Sequence, residues 1–282
     1  MVLNKEQISK DYENIKDIFR PSHADFTYNK KYGFRDYRGG GRASARETIG
    51  RVCAGAIAKK ILKDLGIDIL TYTFSVGNIK VENIDLSYID KNPLKIPCKK
   101  TAEKCMQLLD ELIKNNNSVG GTAYCEIKGL KAGIGEPVFE KLDAMLSMAI
   151  MSIGATKGIE FGLGFLSSEK IGSEYNDTFY NENGKVLKNT NNSGGILGGI
   201  SDGDKITIKV AFKPTPSISI EQDTINSDLE NTSIKIKGRH DPFIVPRALE
   251  VIEAMVSITL LDYILIGITR KIDCVKNAYL NF

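Results

Sequence analysis

The sequence predicts an α+β fold, in which helices pack against mostly antiparallel sheets. Segments with helical periodicity are interspersed with segments that alternate apolar and polar residues, and such alternation is typical of strands with one exposed face. The 282 residues are 42% hydrophobic and 26% charged, which is ordinary for a soluble globular protein that buries a sizeable core. The sequence shows no internal repeat, so we treat residues 1–282 as a single domain.

The first long helix is predicted to begin near Ser44 and to end before Gly66. Ser44 and Glu47 have the spacing of a capping box, in which each side chain binds the other residue's backbone N–H group. Gly66 suits the left-handed conformation that commonly follows a helix. The apolar stripe of this helix consists of Ile49, Val52, Ala56, Ile57 and Ile61.

The remaining elements follow from the same two periodicities. Alternating polarity predicts strands at 70–76, 120–127, 159–165 and 206–212. Helical periodicity predicts helices over 101–113, from Pro137 to Ile150 and after Pro246, since proline suits the first turn of a helix. Residues 173–195 are rich in Asn, Gly and charge, and they predict a long loop that is either a mobile lid or plain surface.

A glycine-rich segment with many arginines precedes the first long helix. Its three consecutive glycines (39–41) let a ligand approach the backbone, and the helix start offers unpaired N–H groups. The segment matches neither a Walker A loop nor the Gly-x-Gly-x-x-Gly pattern after a strand. We therefore favour a phosphate-type anion site over a flexible turn with solvated arginines. The arginines are Arg35, Arg38, Arg42, Arg46 and Arg51.

Charge and cysteine usage narrow the class of protein. A net charge of +3 is too small to indicate a nucleic-acid partner. The five cysteines lie far apart without a Cys-x-x-Cys pair, so we expect no metal site, no disulfide framework and a cytoplasmic location. The most apolar segment, 251–268, contains Glu253 and Asp262, which favours a core helix over a membrane span. The polar residues after Met1 do not resemble a secretory signal.

Three further features could carry chemistry. His23 and His240 are the two histidines, and each lies among charged residues, so a catalytic and a structural role stay equally open. Asp241 is held extended by the following proline ahead of the last helix, and it serves either as a base or as a helix N-cap. Residues 191–200 contain two Gly-Gly pairs, which fit a tight turn or a close approach to a flat or phosphorylated ligand.

Six sequence blocks resemble those of chorismate synthases and occur in that family's order. Agreement at six separate blocks, spread from the first residues to about Ala254, makes the resemblance specific. The blocks are Arg20-Pro-Ser-His-Ala-Asp25, Tyr32-Gly-Phe-Arg-Asp-Tyr-Arg-Gly-Gly-Gly-Arg-Ala-Ser-Ala-Arg-Glu-Thr48, Gly55-Ala-Ile-Ala-Lys-Lys60, Asn192-Ser-Gly-Gly-Ile-Leu-Gly-Gly-Ile200, Lys213-Pro-Thr-Pro-Ser217 and Arg239-His-Asp-Pro242.

The resemblance implies a lyase of the shikimate pathway. Such enzymes convert 5-enolpyruvylshikimate 3-phosphate to chorismate and phosphate by a 1,4-anti elimination, the last common step of aromatic amino acid biosynthesis. They require reduced FMN, although the reaction is redox-neutral overall. The resemblance also implies a β-α-β sandwich, with helices between antiparallel sheets, and a homotetramer without nucleic-acid or membrane partners. The sequence leaves open whether NADPH reduces the flavin on this chain or an external reductase does so.

The resemblance also assigns roles to single residues. It implies that His23 protonates the reduced cofactor and that Asp241 works with flavin N5 to remove the ring proton. Arg38 and Arg46 are its candidates for binding the phosphate or carboxylates of the substrate, because fixed cations suit a polyanion and a phosphate leaving group. The implied flavin-binding residues are Arg42, Ala43, Ser44, Gly154, Ala155, Gly198, Lys213, Pro214, Thr215, Pro216, Ser217 and Arg239.

The sequence departs from the family pattern at three places. Ala43 stands where the family usually has serine, and Phe243 stands where it has a small residue. The family also opens with a Gly-Glu-Ser-His-Gly block whose histidine is assigned to protonating the leaving phosphate, and nothing before Lys10 matches it. We therefore expect an N-terminally truncated chain with lowered stability and little or no turnover. The alternative is a catalytically impaired flavin- or anion-binding subunit that serves in assembly.

Overall fold

The computed structural model of the chain describes residues 15–37, 44–236 and 241–281. It combines helices with antiparallel sheets, so the predicted α+β class is confirmed. The helices are α1 (Asp25–Tyr32), α2 (Thr48–Asp64), α3 (Lys99–Lys114), α4 (Leu142–Met151), α5 (Gly172–Tyr175), α6 (Val245–Ile268) and α7 (Ile272–Leu280). The strands are β1 (Asp68–Val76), β2 (Ile79–Lys80), β3 (Gly121–Lys128), β4 (Thr156–Phe161), β5 (Phe179–Glu182), β6 (Lys185–Lys188), β7 (Ile196–Leu197), β8 (Ile200–Ser201), β9 (Ile206–Phe212), β10 (Gln222–Ile225) and β11 (Asn231–Ile234).

A five-stranded sheet organises the fold. Its strands follow the order β2-β1-β3-β9-β4, and each neighbouring pair is antiparallel. Side chains alternate along a strand, so residues that pair across strands share a face. Thr71, Cys125 and Ile208 form such a set, and the Thr71 hydroxyl contacts Leu249 and Glu253 of α6. This face of the sheet therefore packs on α6, and helices α2 and α4 also pack against α6.

Helices α2 and α6 cross in close contact at Gly55 and Ala254. A Cβ atom at Gly55 would overlap both the Cα and the Cβ of Ala254, so glycine permits this approach of the two backbones. The buried residues of α2 are Gly55, Ala58 and Leu62. Small side chains at the crossing let the helices come together.

The apolar stripe predicted for α2 is not its buried face. Ile49, Ile57 and Ile61 are exposed, Ile57 by 67%, while Val52 is half-buried. The side of α2 with Gly55 and Ala58 faces α6, because the close crossing of the two helices has no space for an isoleucine side chain. The predicted bounds of the helix are confirmed, since α2 follows Ser44 and ends before Gly66, which has φ +79°.

Helix α6 is a core helix, as the sequence predicts. It is the one helix among the described residues with the length and composition to cross a membrane. Its residue Glu253 is only 8% exposed and forms an ion pair with Lys59 of α2. The other carboxylate oxygen of Glu253 accepts hydrogen bonds from the backbone N–H and the hydroxyl of Thr71, both at 2.9 Å. The carboxylate therefore joins α2, α6 and β1 inside the core.

Two predicted elements have different bounds in the structure. Helix α4 begins at Leu142, and Pro137 lies in the irregular segment before it. The strand predicted over 159–165 covers Thr156–Phe161 instead, because Gly162 adopts φ +57° and turns the chain away from the sheet. Phe165, predicted to lie in that strand, lies in a 3₁₀ turn and is exposed.

The segment 173–195, predicted as a loop, contains the hairpin β5–β6 and most of α5. Lys188 at the base of the hairpin is almost fully buried, and its Nζ lies 2.7 Å from an Asp202 carboxylate oxygen and 3.9 Å from one of Asp177. Burial raises the pKa of Asp177, but hydrogen bonds from Thr190, Ser193 and the Asn192 backbone outweigh it and lower the pKa to about 2. The base of the hairpin is therefore anchored by charged groups.

Candidate active site

The loop that carries His23 is held by an ion-paired aspartate. Asp25 begins α1, and its carboxylate receives hydrogen bonds from the Arg20 guanidinium at 2.7 and 2.9 Å and from the Arg20 backbone N–H at 3.1 Å. Arg35 forms a second ion pair with the same carboxylate at 3.2 Å. Burial raises the pKa of Asp25, but Arg20 and Arg35 outweigh it and the pKa is lowered. The turn at residues 20–25 is therefore fixed on both sides of His23.

The imidazole of His23 has a defined tautomer. Its Nδ1 lies 3.0 Å from the carbonyl oxygen of Pro21, which can only accept a hydrogen bond, so Nδ1 carries the proton. Its Nε2 then accepts a hydrogen bond from the Ser217 hydroxyl at 2.9 Å. The pKa of His23 is lowered from its usual 6.5 to about 4, mainly because the ring is buried and secondly because of the positive charge of Arg20. The ring is therefore neutral near neutral pH, with Nε2 directed at the Lys213–Ser217 segment.

Lys213 to Ser217 follow β9 directly and form the second part of the site. The Lys213 backbone N–H donates to the Ala155 carbonyl at 3.0 Å, so the predicted pair Gly154–Ala155 lies beside it. The Lys213 ammonium group donates to the carbonyl of Ser22 at 2.6 Å. Ala155 has φ +70°, a strained conformation for a residue with a Cβ. The structure thus brings together the sequence blocks around His23, Ala155 and Lys213.

Asp241 lies at the edge of a cavity next to Ser217. Helix α6 begins at Val245 with Ile244 as its N-cap, so Asp241 is not the N-cap that the sequence left open. Its carboxylate forms a 2.6 Å ion pair with Arg247, whose side chain is largely exposed. The cavity has a volume of about 130 Å³, and its walls include Asn117, Ser118, Ser217, Ser219, Asp241 and Pro242.

Ser118 and Val119, which the sequence analysis did not single out, join the two loops of this cavity. The Ser118 hydroxyl donates to the carbonyl of Thr215 at 2.7 Å. The Val119 backbone N–H donates to the carbonyl of Pro242 at 2.9 Å. A serine between a helix and a strand has no distinctive sequence signal, since loops are generally rich in serine.

The start of α2 lies beside Gly154. Ser44 is the N-cap of the 3₁₀ turn Ala45–Glu47, and its hydroxyl accepts the backbone N–H of Arg46 at 3.3 Å, one residue earlier than in a capping box. One turn into α2, the Arg51 guanidinium donates to the Ser152 hydroxyl at 2.7 Å. Ser152 follows α4, so the arginine-rich segment and Gly154 share this end of the molecule.

The structure does not bring Gly198 to this cluster. Gly198 forms the turn between β7 and β8, and the next residue, Gly199, accepts the backbone N–H of Leu142 at the start of α4. Gly154 lies just beyond the other end of α4, and ten helical residues span about 15 Å. The remaining predicted site residues, Arg38, Arg42, Ala43 and Arg239, lie outside the described residues, as does His240.

Comparison with known proteins gives one consistent result. A family model described as chorismate synthase matches residues 1–265. The chorismate synthase of Lachnoclostridium phytofermentans is 53% identical over 287 residues, covering 99% of this chain and 77% of that protein. The chorismate synthase of Lachnospira eligens is 51% identical, covering 99% of this chain and 76% of that protein. A crystal structure of chorismate synthase matches with a TM-score of 0.74 at 30% identity, covering 92% of this chain and 75% of that chain.

Proposed function

Because the chain belongs to the chorismate synthase family, we propose that it acts on 5-enolpyruvylshikimate 3-phosphate with reduced FMN bound. The reaction is a 1,4-anti elimination that releases phosphate and gives chorismate. Family membership also supports a homotetramer in the cytoplasm. The site described above is the proposed place of the chemistry.

One observation carries the proposal: the structure joins three family blocks that are distant in sequence. The His23 ring contacts Ser217, and Lys213 contacts the carbonyl of Ser22. Ser217 also lines the cavity that Asp241 borders. A histidine, a lysine and a carboxylate therefore surround one region, as expected for a site that binds a polyanion and moves protons.

The residues present fit a flavin. The Thr215 hydroxyl oxygen is buried without a hydrogen-bond partner among the described residues, so it is free to bond a ligand. Gly154 has open space where a side chain would lie. Ser44, Ala155, Lys213 and Ser217 would supply further polar or backbone contacts to it. Reduced FMN, when bound, supplies electron density that assists loss of the phosphate.

The chain's own groups suit the proton transfers and the binding of phosphate. We assign to Asp241 the removal of the substrate's ring proton, because its carboxylate borders the cavity and is held there by Arg247. The neutral His23 accepts a proton more readily when anions bind nearby, because negative charge raises the pKa of an imidazole. We assign the binding of anionic groups of the substrate or cofactor to Arg46, in the turn at the positive end of α2, and to Lys213.

Titration with FMN tests the proposal. Saturable quenching of FMN fluorescence is expected, and the substrate should tighten it because both ligands occupy one site. Chorismate formation is then followed anaerobically with reduced FMN, both for this chain and for the chain preceded by the Gly-Glu-Ser-His-Gly block of a relative. The proposal is contradicted if FMN binds neither to this chain nor to the chain with the added block. Binding without turnover in both forms favours the assembly subunit instead.

A further inference from the structure

Lys157 occupies a β-bulge next to the proposed flavin site. Thr156 pairs with Phe212 and Gly158 pairs with Ala211, so Lys157 is an extra residue between two consecutive pairs of the β4–β9 ladder. A bulge of this kind redirects a side chain and is frequent beside active sites. Lys157 is exposed, and no sequence pattern marked it as functional.

The bulge places Lys157 close to Lys213. Phe212, the partner of Thr156, directly precedes Lys213, and the Lys213 N–H donates to the carbonyl of Ala155. The pKa of Lys213 is lowered, mainly because the ammonium group is partly buried and secondly because of the positive charge of Lys157. Two ammonium groups near each other repel, and the repulsion is relieved when an anion lies between them.

No carboxylate of the described residues forms an ion pair with Lys157. Glu160, the acidic residue of the same strand, is paired with Lys209. Two residues after Lys213, the Thr215 hydroxyl oxygen is buried and has no hydrogen-bond partner among the described residues. Two cations without a carboxylate partner in the described part of the chain and a hydroxyl without a partner point to an anionic ligand.

We propose that Lys157 and Lys213 form a subsite for a phosphate monoester, with Lys157 as a binding residue beyond those that the family blocks indicate. The proposal rests on the proposed function, which supplies two molecules with such a group, FMN and the substrate. The flavin phosphate is the favoured occupant, because Gly154, Ala155 and Lys213 are already flavin-binding candidates.

Paired ligands that differ only in the phosphate test the subsite. FMN and riboflavin are titrated by fluorescence against the unchanged chain, Lys157→Gln and Lys157→Arg. Lys157→Gln is expected to weaken FMN binding by about tenfold or more, the size of one lost charge-assisted hydrogen bond, and to leave riboflavin binding unchanged. Lys157→Arg should largely restore FMN binding. The FMN affinity of Lys157→Gln should also depend less on salt.

The control is Lys185→Gln, which removes one charge from an exposed strand residue of the β5–β6 hairpin. It should leave the binding of both flavins unchanged. A second arm uses calorimetry with shikimate 3-phosphate and shikimate. If Lys157→Gln weakens the binding of shikimate 3-phosphate but not the binding of FMN, the subsite holds the substrate phosphate.

Two results would overturn the subsite: an unchanged affinity for all four ligands, or equal weakening of FMN and riboflavin. An unchanged chain that binds no FMN at all would instead count against the proposed function. The two failures are therefore distinguishable.

Discussion

The imidazole Nε2 of His23 lies 2.9 Å from the hydroxyl oxygen of Ser217, although 194 positions separate the two residues in the sequence. The contact joins the loop before α1 to the segment after β9. It also fixes the imidazole as a neutral ring, since Nδ1 donates to Pro21 and Nε2 accepts from Ser217.

The first prediction concerns the pH dependence of stability. The pKa of His23 is about 4 in the folded chain and near its usual 6.5 when the chain unfolds. Between these values the unfolded chain binds the proton and the folded chain does not, so stability falls as pH drops from 6.5 to 4. His23→Gln should lose less stability over this range than the unchanged chain in denaturant titrations. If the unfolding free energies of the two proteins fall in parallel between pH 6.5 and 4, the pKa of His23 is not lowered in the folded chain.

The second prediction concerns Ser118 as a positioning residue. Ser118→Ala removes the hydrogen bond to the Thr215 carbonyl, and we expect FMN affinity to fall several-fold while unfolding free energy falls by only about 1 kcal/mol. Ser118→Thr keeps a hydroxyl and should restore binding. Ser87→Ala, at an exposed serine, is the control. Unchanged FMN affinity in Ser118→Ala would remove the proposed role.

The third prediction compares two glycines of α2. Gly55→Ala places a methyl group against Ala254 and should destabilise the chain by about 1–3 kcal/mol, because the helices must separate. Gly50→Ala meets no atom within 4 Å, and it should be neutral or stabilising by up to about 1 kcal/mol, because alanine favours the helix. Chemical denaturation of both variants measures the difference. Equal effects would mean that the close crossing does not depend on glycine.

The fourth prediction concerns the buried carboxylate of α6. Glu253→Ala leaves the Thr71 N–H without its acceptor, the Thr71 hydroxyl with only the longer contact to the Leu249 carbonyl at 3.4 Å, and Lys59 without its partner. We expect a loss of about 3 kcal/mol in unfolding free energy. Glu250→Ala, at an exposed position of the same helix, should change stability by less than about 0.5 kcal/mol. A similar small change in Glu253→Ala would show that the network contributes little.

The elements that the sequence predicts well are those with a strong local pattern. The strand around Ile206 and the helix after Ser44 have clear periodicity, and both lie where predicted. The turn at Gly162 and the outward direction of Ile57 were not predictable, because each depends on a distant contact. Gly162 lies against the backbone of Asn192, and the orientation of α2 depends on Ala254 of α6.

The candidate site shows the same division. His23 and Asp241 stood out as chemically suggestive residues, and resemblance to a family supplied their proposed roles. Ser118 and Lys157 could not be found in this way, since their positions matter only once the loop before β3 and the bulge in β4 are known.

A crystal structure of the chain with FMN would show whether the segments around His23, Lys213 and Asp241 form one flavin site. We expect difference density for the flavin ring beside Ser217 and Asp241, with its phosphate near Lys213. Density for FMN at a different surface, with these residues free of ligand at saturating FMN, would mean that the three segments do not form the flavin site.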